Sequence, residues 1–331
     1  MSHEIEIVNG RACIAYAGET PWHGLGTQVS PNMTPSQMRV AAGVDWKVKK
    51  LACFAELNKK RINTGYKALV RVDNSKVMTV TGANWNEIQN EEATDFFNDF
   101  VQKGELQMHT MGSLRGGKMV WALAKANAEF ALFKGKDRVE THVLFYNPHE
   151  YGKSAGVMVT PIRVVCLNTF SMALAGKSDD FHSRITHRKK FNPEEVKAAM
   201  KQAGDRVQEY RKQAEFLASR LLDPVAYKEY CASVFPTKAK EAGAVSRLAE
   251  LSAATLETQP GAELGAGTWW AAFNSITFTT DHLMGQQYAS ETTDQGQRDR
   301  RLFQGWFGVV QRQKMHALTK ALEFAGKSQA A

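Results

Sequence analysis

Residues 161–175, PIRVVCLNTFSMALA, hold an arginine and a capping pair at a spacing that could bind an anion. Arg163 is the one charge in an apolar, β-branched run, and a guanidinium in such a setting needs a partner. Asn168 and Thr169 then open a small-residue run of helical character, so the stretch reads as a buried strand feeding a helix. Either residue can cap that helix, and a helix N-terminus beside a guanidinium favours an anion.

A second phosphate pattern fails on inspection. Gly112-Ser113-Leu114-Arg115-Gly116-Gly117-Lys118 fits G-x-x-x-x-G-K, but Met119 stands where a P-loop needs Ser or Thr for magnesium. A strand-like run follows in place of a helix, so no nucleotide site is expected. Read as a hairpin tip, the segment offers Arg115 and Lys118 to phosphates and Trp121 for stacking, which suits a single-stranded nucleic acid. A basic hairpin standing in solvent is the alternative. Lys49 and Arg71 on strand-like runs, and the block His187-Arg188-Lys189-Lys190, extend the set of phosphate candidates.

Catalytic constellations are thin. There is no G-x-S-x-G and no H-E-x-x-H, and the four cysteines (Cys13, Cys53, Cys166, Cys231) form no C-x-x-C pair. His182 and His187 lie close in sequence but lack cysteine partners, so neither a metal nor another cofactor is expected. Cys166 precedes the proposed helix start, where a thiol can be activated, yet Val164, Val165 and Leu167 around it favour core packing. The alternative to a binding protein is an enzyme acting on nucleotides or nucleic acid, with His149, Glu150 and Cys166 near one site. Residues 268–274 with Asp281 and His282 could suggest an acid–base site, but Trp270, Phe273, Thr277 and His282 have the spacing of a helical packing face.

The elements that must position these residues follow from periodicity. A strand over 12–16 precedes Pro21-Trp22-His23-Gly24-Leu25-Gly26-Thr27, a tryptophan-bearing turn whose glycines permit close backbone approach. Thr34 and Pro35 start a short helix ending near Gly43. Strands are expected over 45–49, 66–72 and 76–81, then an amphipathic helix over 84–101 with Ile88, Phe96, Phe97 and Phe100 inward. A hairpin over 106–124 and strands over 141–146 and 157–160 lead to Arg163. From Asn192 a helix runs to about Leu222, followed by helices near 224–234, 243–256, 268–284 and 298–325. The fold class is therefore α+β, a largely antiparallel sheet with packed helices in the first half and a helical C-terminal half. The expected domains are 1–191, an α+β core, and 192–331, a helical region with a linker near 258–267.

Composition narrows the partners. With 43% hydrophobic and 23% charged residues the chain can bury a substantial core, and no apolar run approaches the roughly 18 residues of a membrane span. The first residues, MSHEIEIVNG, lack the basic and apolar blocks of a signal peptide, so a cytoplasmic protein is expected. A net charge of +8 favours a polyanion. Residues 39–76 carry ten Lys/Arg against three acids, whereas 87–99 carry five acids and no base, so the positive charge follows the strands and avoids the helix between them.

Several segments in one order resemble a family of phage- and plasmid-borne proteins known as domain of unknown function 932. They are Pro21–Gly26, Ala42–Trp46, Gln89-Asn90, Gly112–Gly117, Arg163–Thr169, Gly267–Trp270 and Phe307-Gly308. Asn147-Pro148-His149-Glu150-Tyr151-Gly152 departs from the Asn-x-His-Asp-Gly-like turn frequent in that family. The resemblance implies a mobile-element origin and supplies no chemistry.

The organisation is similar to that of phage single-strand annealing proteins. The expected function is therefore single-stranded DNA binding and annealing in phage or plasmid recombination or replication, independent of ATP and metal. Lys49, Arg71, Arg115, Lys118, Arg163 and Arg188–Lys190 would track phosphates, and protomers would assemble as a homo-oligomer, a ring or filament. A host-interaction protein whose basic surface is incidental is a further alternative.

Overall fold

The computed structural model describes residues 6–18, 25–163, 168–169, 183–237, 243–284 and 309–327; the side chains of 128, 163, 168–169, 183–184, 199–206 and 309–311 lie outside that description. Two compact units emerge, each discontinuous in sequence. Unit 1 comprises 1–127, 143–158 and 182–201, and unit 2 comprises 128–142, 159–181 and 202–331. A single cut after 191 does not reproduce this, because three long strands each pass from one unit's residues into the other's.

The larger sheet has the order β12-β11-β10-β9-β8-β3-β4, with β13 also pairing β11. Its strands are β3 (Ile14–Ala17), β4 (Thr27–Val29), β8 (Leu106–Leu114), β9 (Met119–Leu132), β10 (Asp137–Pro148), β11 (Ala155–Arg163), β12 (Asn168–Thr169) and β13 (Ser183–Ile185). β3 and β4 run parallel, while β8 is antiparallel to both β3 and β9. Two shorter strands, β1 (Ile7–Val8) and β2 (Arg11–Ala12), form a separate antiparallel pair.

In unit 1, Thr34 caps α1 (Pro35–Ala41) through a capping box with Gln37, as the Thr-Pro start implies. Gly26 sits at φ +112°, and a Cβ there would come within 2.7 Å of Ile14 Cγ2, so glycine is what lets β4 lie beside β3. Pro21–Gly24 lie outside the described residues. A second sheet, order β5-β6-β7, consists of β5 (Val48–Leu57), β6 (Lys60–Arg71) and β7 (Val77–Thr81). The helix expected over 84–101 is shorter and broken: irregular backbone runs to Gln89, then come α2 (Asn90–Asp95) and α3 (Phe97–Gln102). Ile88, Phe96 and Phe97 are buried as the periodicity requires, with Phe96 against Phe145 at 5.1 Å between centroids.

Of the stretch 161–175, the described residues are strand. Asn168 and Thr169 pair antiparallel with Arg163 and Ile162, so they are strand residues. Asn and Thr are at home in caps and at strand ends alike. Residues 164–167, with Cys166, and 170–175 lie outside the described residues.

From Pro193 onward the described elements are helical: α4 (Pro193–Ser219), α5 (Pro224–Val234), α6 (Arg247–Thr255), α7 (Trp269–Phe278) and α8 (Val309–Lys327). The C-terminal half is thus helical only in part, since β12 and β13 precede them. In unit 2, α5, α7 and α8 share an aromatic core in which Tyr230 meets Trp269 edge-on at 5.6 Å and Phe324 at 6.0 Å. The 258–267 segment is not a loose linker. Gln259 is buried and donates to Ala271 O at 3.0 Å, and a short 3-10 turn spans Ala262–Gly265. Among the described residues, no helix is long and apolar enough to cross a membrane.

Candidate nucleic-acid interface

The expected strands over 45–49 and 66–72 are the bases of a much longer hairpin. β5 and β6 pair from Val48↔Arg71 out to Leu57↔Lys60, with a register shift between Ala52 and Phe54. Asn58 and Lys59 close the tip, both with positive φ (50° and 61°), the primed two-residue turn that matches strand twist. Beyond Ala52 both faces of this ribbon meet solvent. Leu57 is 63% and Tyr66 57% exposed, too much for either to be a core position.

The arm carries its own chemistry. Residues 48–67 contain Lys49, Lys50, Lys59, Lys60, Arg61 and Lys67 against one acid, Glu56. The Arg61 guanidinium lies 4.0 Å over the Phe54 ring, which pre-forms a flat cationic surface. Lys50 is held at the base, donating to Trp85 O at 2.8 Å and facing Glu87 at 3.2 Å. Lys49, Lys59, Lys60 and Arg61 are exposed.

The cations proposed from sequence are sorted sharply by burial. Arg71 is 1% exposed: it donates to Glu6, and to Asp73 at 2.7 and 2.9 Å, while stacking 4.2 Å over Trp46. A phosphate cannot reach it without displacing those carboxylates. Arg115 stands at the tip of the β8–β9 hairpin, as read, but forks onto Glu150 at 2.8 and 3.2 Å. That tip packs against other side chains, for Lys76 donates to Gly116 O and a Cβ on Gly117 would lie 2.9 Å from Arg71 Nη1. Lys118 is half-buried, and Trp121 is too buried to stack on a base. His187 is buried and stacks on Trp85 at 4.3 Å and 19°. Arg188, Lys189 and Lys190 are exposed. The Arg163, Asn168 and Thr169 side chains lie outside the described set.

Three buried side chains hold the irregular segment before α2 and the first residue of that helix. His187 Nδ1 bonds Asn86 O at 2.8 Å, Asn147 Nδ2 donates to Ile88 O at 2.9 Å, and His149 Nε2 bonds Asn90 Oδ1 at 2.8 Å. Burial pushes the His149 imidazole down to about 3, with the nearby His187 and Arg71 acting in the same direction. Burial also lowers His187, which the bond to Asn86 partly opposes. Glu150 sits below the usual carboxylate range because its ion pairs with Lys153 and Arg115 outweigh its burial. Cys13 and Cys231, pushed up by burial to about 11 and about 12, are inert core thiols.

A family model described as Domain of unknown function (DUF932) matches residues 77–304. The chain belongs to this family. No curated protein and no solved structure matches it. The DUF932 segment opens with β7, so it includes His149, His187 and Asn147 but not the β5–β6 arm.

Sequence reading missed the arm. Its signal was the density of Lys/Arg among isolated Leu, Phe, Ile and Tyr between two recognised strands. Asn58-Lys59 has no glycine to mark the turn.

Proposed function

We propose that this protein binds single-stranded DNA and anneals complementary strands, serving the recombination or replication of a phage or plasmid. The carrying observation is the β5–β6 arm, which is basic, aromatic and exposed on both faces. Lys49, Lys59, Lys60 and Arg61 would contact phosphates, Phe54 and Tyr66 would stack on bases, and Arg188–Lys190 would lengthen the track. Annealing of this kind uses no nucleotide, in keeping with the strand that follows Gly112–Lys118 where a P-loop needs a helix. Homo-oligomers, as rings or filaments, would align several arms on one strand.

Fluorescence anisotropy with a labelled oligothymidine over a salt series tests this directly. Affinity should fall as salt rises, because each neutralised phosphate releases counterions. Replacing Lys59, Lys60 and Arg61 by Gln should make the log–log slope shallower by about 2, at roughly 0.7 per lost contact. An unchanged slope in that triple variant, or no binding at low salt, removes the reading.

The outer face of β5–β7 favours a second reading. Leu51, Val72, Val77 and Val80 are all exposed there, as a protein-docking surface would have them. Isolation with a host protein and without nucleic acid would support it.

A further inference from the structure

The arm's outer strand, β5, leaves one side of its backbone open. β5 is an edge of the sheet β5-β6-β7, and along it successive residues turn their N–H and C=O alternately toward β6 and away from it. Lys47 O accepts from Val72 N, and Leu57↔Lys60 closes the two-residue turn, so the odd-numbered residues face β6. Val48 faces the other way. Its N–H donates to Gln89 Oε1 at 3.1 Å and its carbonyl accepts from Gln89 Nε2 at 3.0 Å. The glutamine amide thus closes the edge at Val48 as one residue of a neighbouring strand would. The register shift beyond Ala52 sets Cys53 against residues 64–66, so the extra residues belong to β6 and the alternation of β5 continues. Lys50, Ala52, Phe54 and Glu56 therefore point their backbone groups outward, and among the described residues none of the four has a backbone partner there.

Such an edge is a template for another strand. No proline blunts it, and past Lys67, where the pairing of β6 with β7 ends, the ribbon is only two strands wide. A two-stranded ribbon with no packed face is marginal in water, and a further strand stabilises it. The free run from Lys50 to Glu56 is centred on Cys53, and about that residue it is complementary to itself. In an antiparallel pair with a second β5 across a two-fold axis, outward residues must meet outward residues. The register about Cys53 sets Lys50 against Glu56 and Ala52 against Phe54 on both sides of the axis. Leu51 then lies opposite Ala55. The arm's one acid meets a lysine, and Phe54 and Leu51 each meet an alanine. Every outward group from Lys50 to Glu56 is used, and pairing stops where Gln89 closes Val48 and where the partner's tip turns at Asn58. A slip of two residues one way sets Glu56 against the closed Val48. The opposite slip sets Phe54 on Phe54 and leaves Lys50 facing the turn.

We propose that two copies of this chain join edge to edge through β5, antiparallel about Cys53, into one sheet that is continuous across both arms. The pairing uses the backbone edge and leaves both faces of each ribbon open. It goes beyond the DNA-binding reading and does not require it.

The test uses the full chain, treated with nuclease so that no nucleic acid bridges two copies. Sedimentation velocity over a concentration series should show a monomer–dimer equilibrium. Diamide should then link the dimer covalently through Cys53. Residues opposite each other at a non-hydrogen-bonded antiparallel position have Cα atoms about 4.5 Å apart, within the span of a disulfide. Cys53→Ser should abolish the link and leave the dimer. Ala52→Pro removes an outward N–H and none that β6 uses, so it should give a monomer with the circular dichroism of the folded chain. Glu56→Lys, a change at an exposed side chain, sets like charges opposite Lys50 and should weaken the dimer roughly fivefold or more. If Ala52→Pro does not fold, Glu56→Lys decides. A wild-type chain that stays monomeric at every concentration overturns the proposal. So does a dimer that Glu56→Lys leaves intact, or one that diamide cannot link through Cys53. None of these measurements involves DNA, so their failure leaves the anisotropy test of the binding reading untouched.

Discussion

Lowering the pH from 7 to 5 should destabilise the protein through His149, by an amount the structure sets. The imidazole is fully buried and held down to about 3 in the folded chain, against about 6.5 when unfolded. A base with a depressed folded pKa is protonated first in the unfolded state. Its neutral form therefore stabilises the fold above pH 6.5, and that contribution is lost progressively as pH falls toward 3. At pH 5 the unfolded histidine is about 1.5 units below its own pKa while the folded one remains neutral. The loss is about 2 kcal/mol, at about 1.4 kcal/mol per unit. His187, also lowered, acts in the same direction. Urea unfolding of wild type and His149→Gln at pH 7 and pH 5 isolates this contribution. Glutamine can still donate to Asn90 Oδ1 but cannot titrate, and the carboxylate contributions of Glu150 and Asp99 are common to both proteins. The stability advantage of wild type should shrink by about 2 kcal/mol between the two pH values. An advantage that stays constant would refute the reasoning, since it would mean that His149 titrates alike in the folded and unfolded chain, as a solvated imidazole does.

Two further outcomes follow from the geometry. Glu150→Gln should cost less than about 1 kcal/mol, as expected of a partly exposed ion-pair partner, while releasing Arg115 from its fork. Its single-stranded DNA affinity should rise at low salt, with a steeper salt slope by anisotropy. Gly26→Ala should lower the unfolding free energy by more than Gly65→Ala. Both have positive φ, but a Cβ at Gly26 collides with Ile14 whereas none lies within 4 Å at Gly65. Equal melting shifts would mean that backbone strain alone matters.

Where local chemistry decides the structure, the sequence was legible. Thr34-Pro35 and Asn192-Pro193 each mark a helix start within a residue or two, because caps act over a single turn. The hairpin at Arg115–Lys118 was legible for the same reason. The segment before α2 was not. Residues 84–89 have the pattern of a helix, but their backbone is held by the side chains of Asn147 and His187, about sixty and a hundred residues away.

The candidate site shows the same division in its electrostatics. Counting charge along the chain treats Arg71, Arg115 and Lys59 alike, yet the fold separates them by what lies opposite. Arg71 faces Glu6 and Asp73, and Arg115 faces Glu150, so each is neutralised within the folded protein before any ligand arrives. Lys59 and Lys60 sit at the exposed tip of a ribbon, and among the described residues no carboxylate forms an ion pair with either. A partner that needs desolvated, pre-aimed cations would have to break ion pairs at Arg71. One that needs only a high density of mobile positive charge finds it on the arm. A flexible polyanion of repeating charge is the second kind of partner, which is why the arm, and not the arginines first singled out, carries the functional reading.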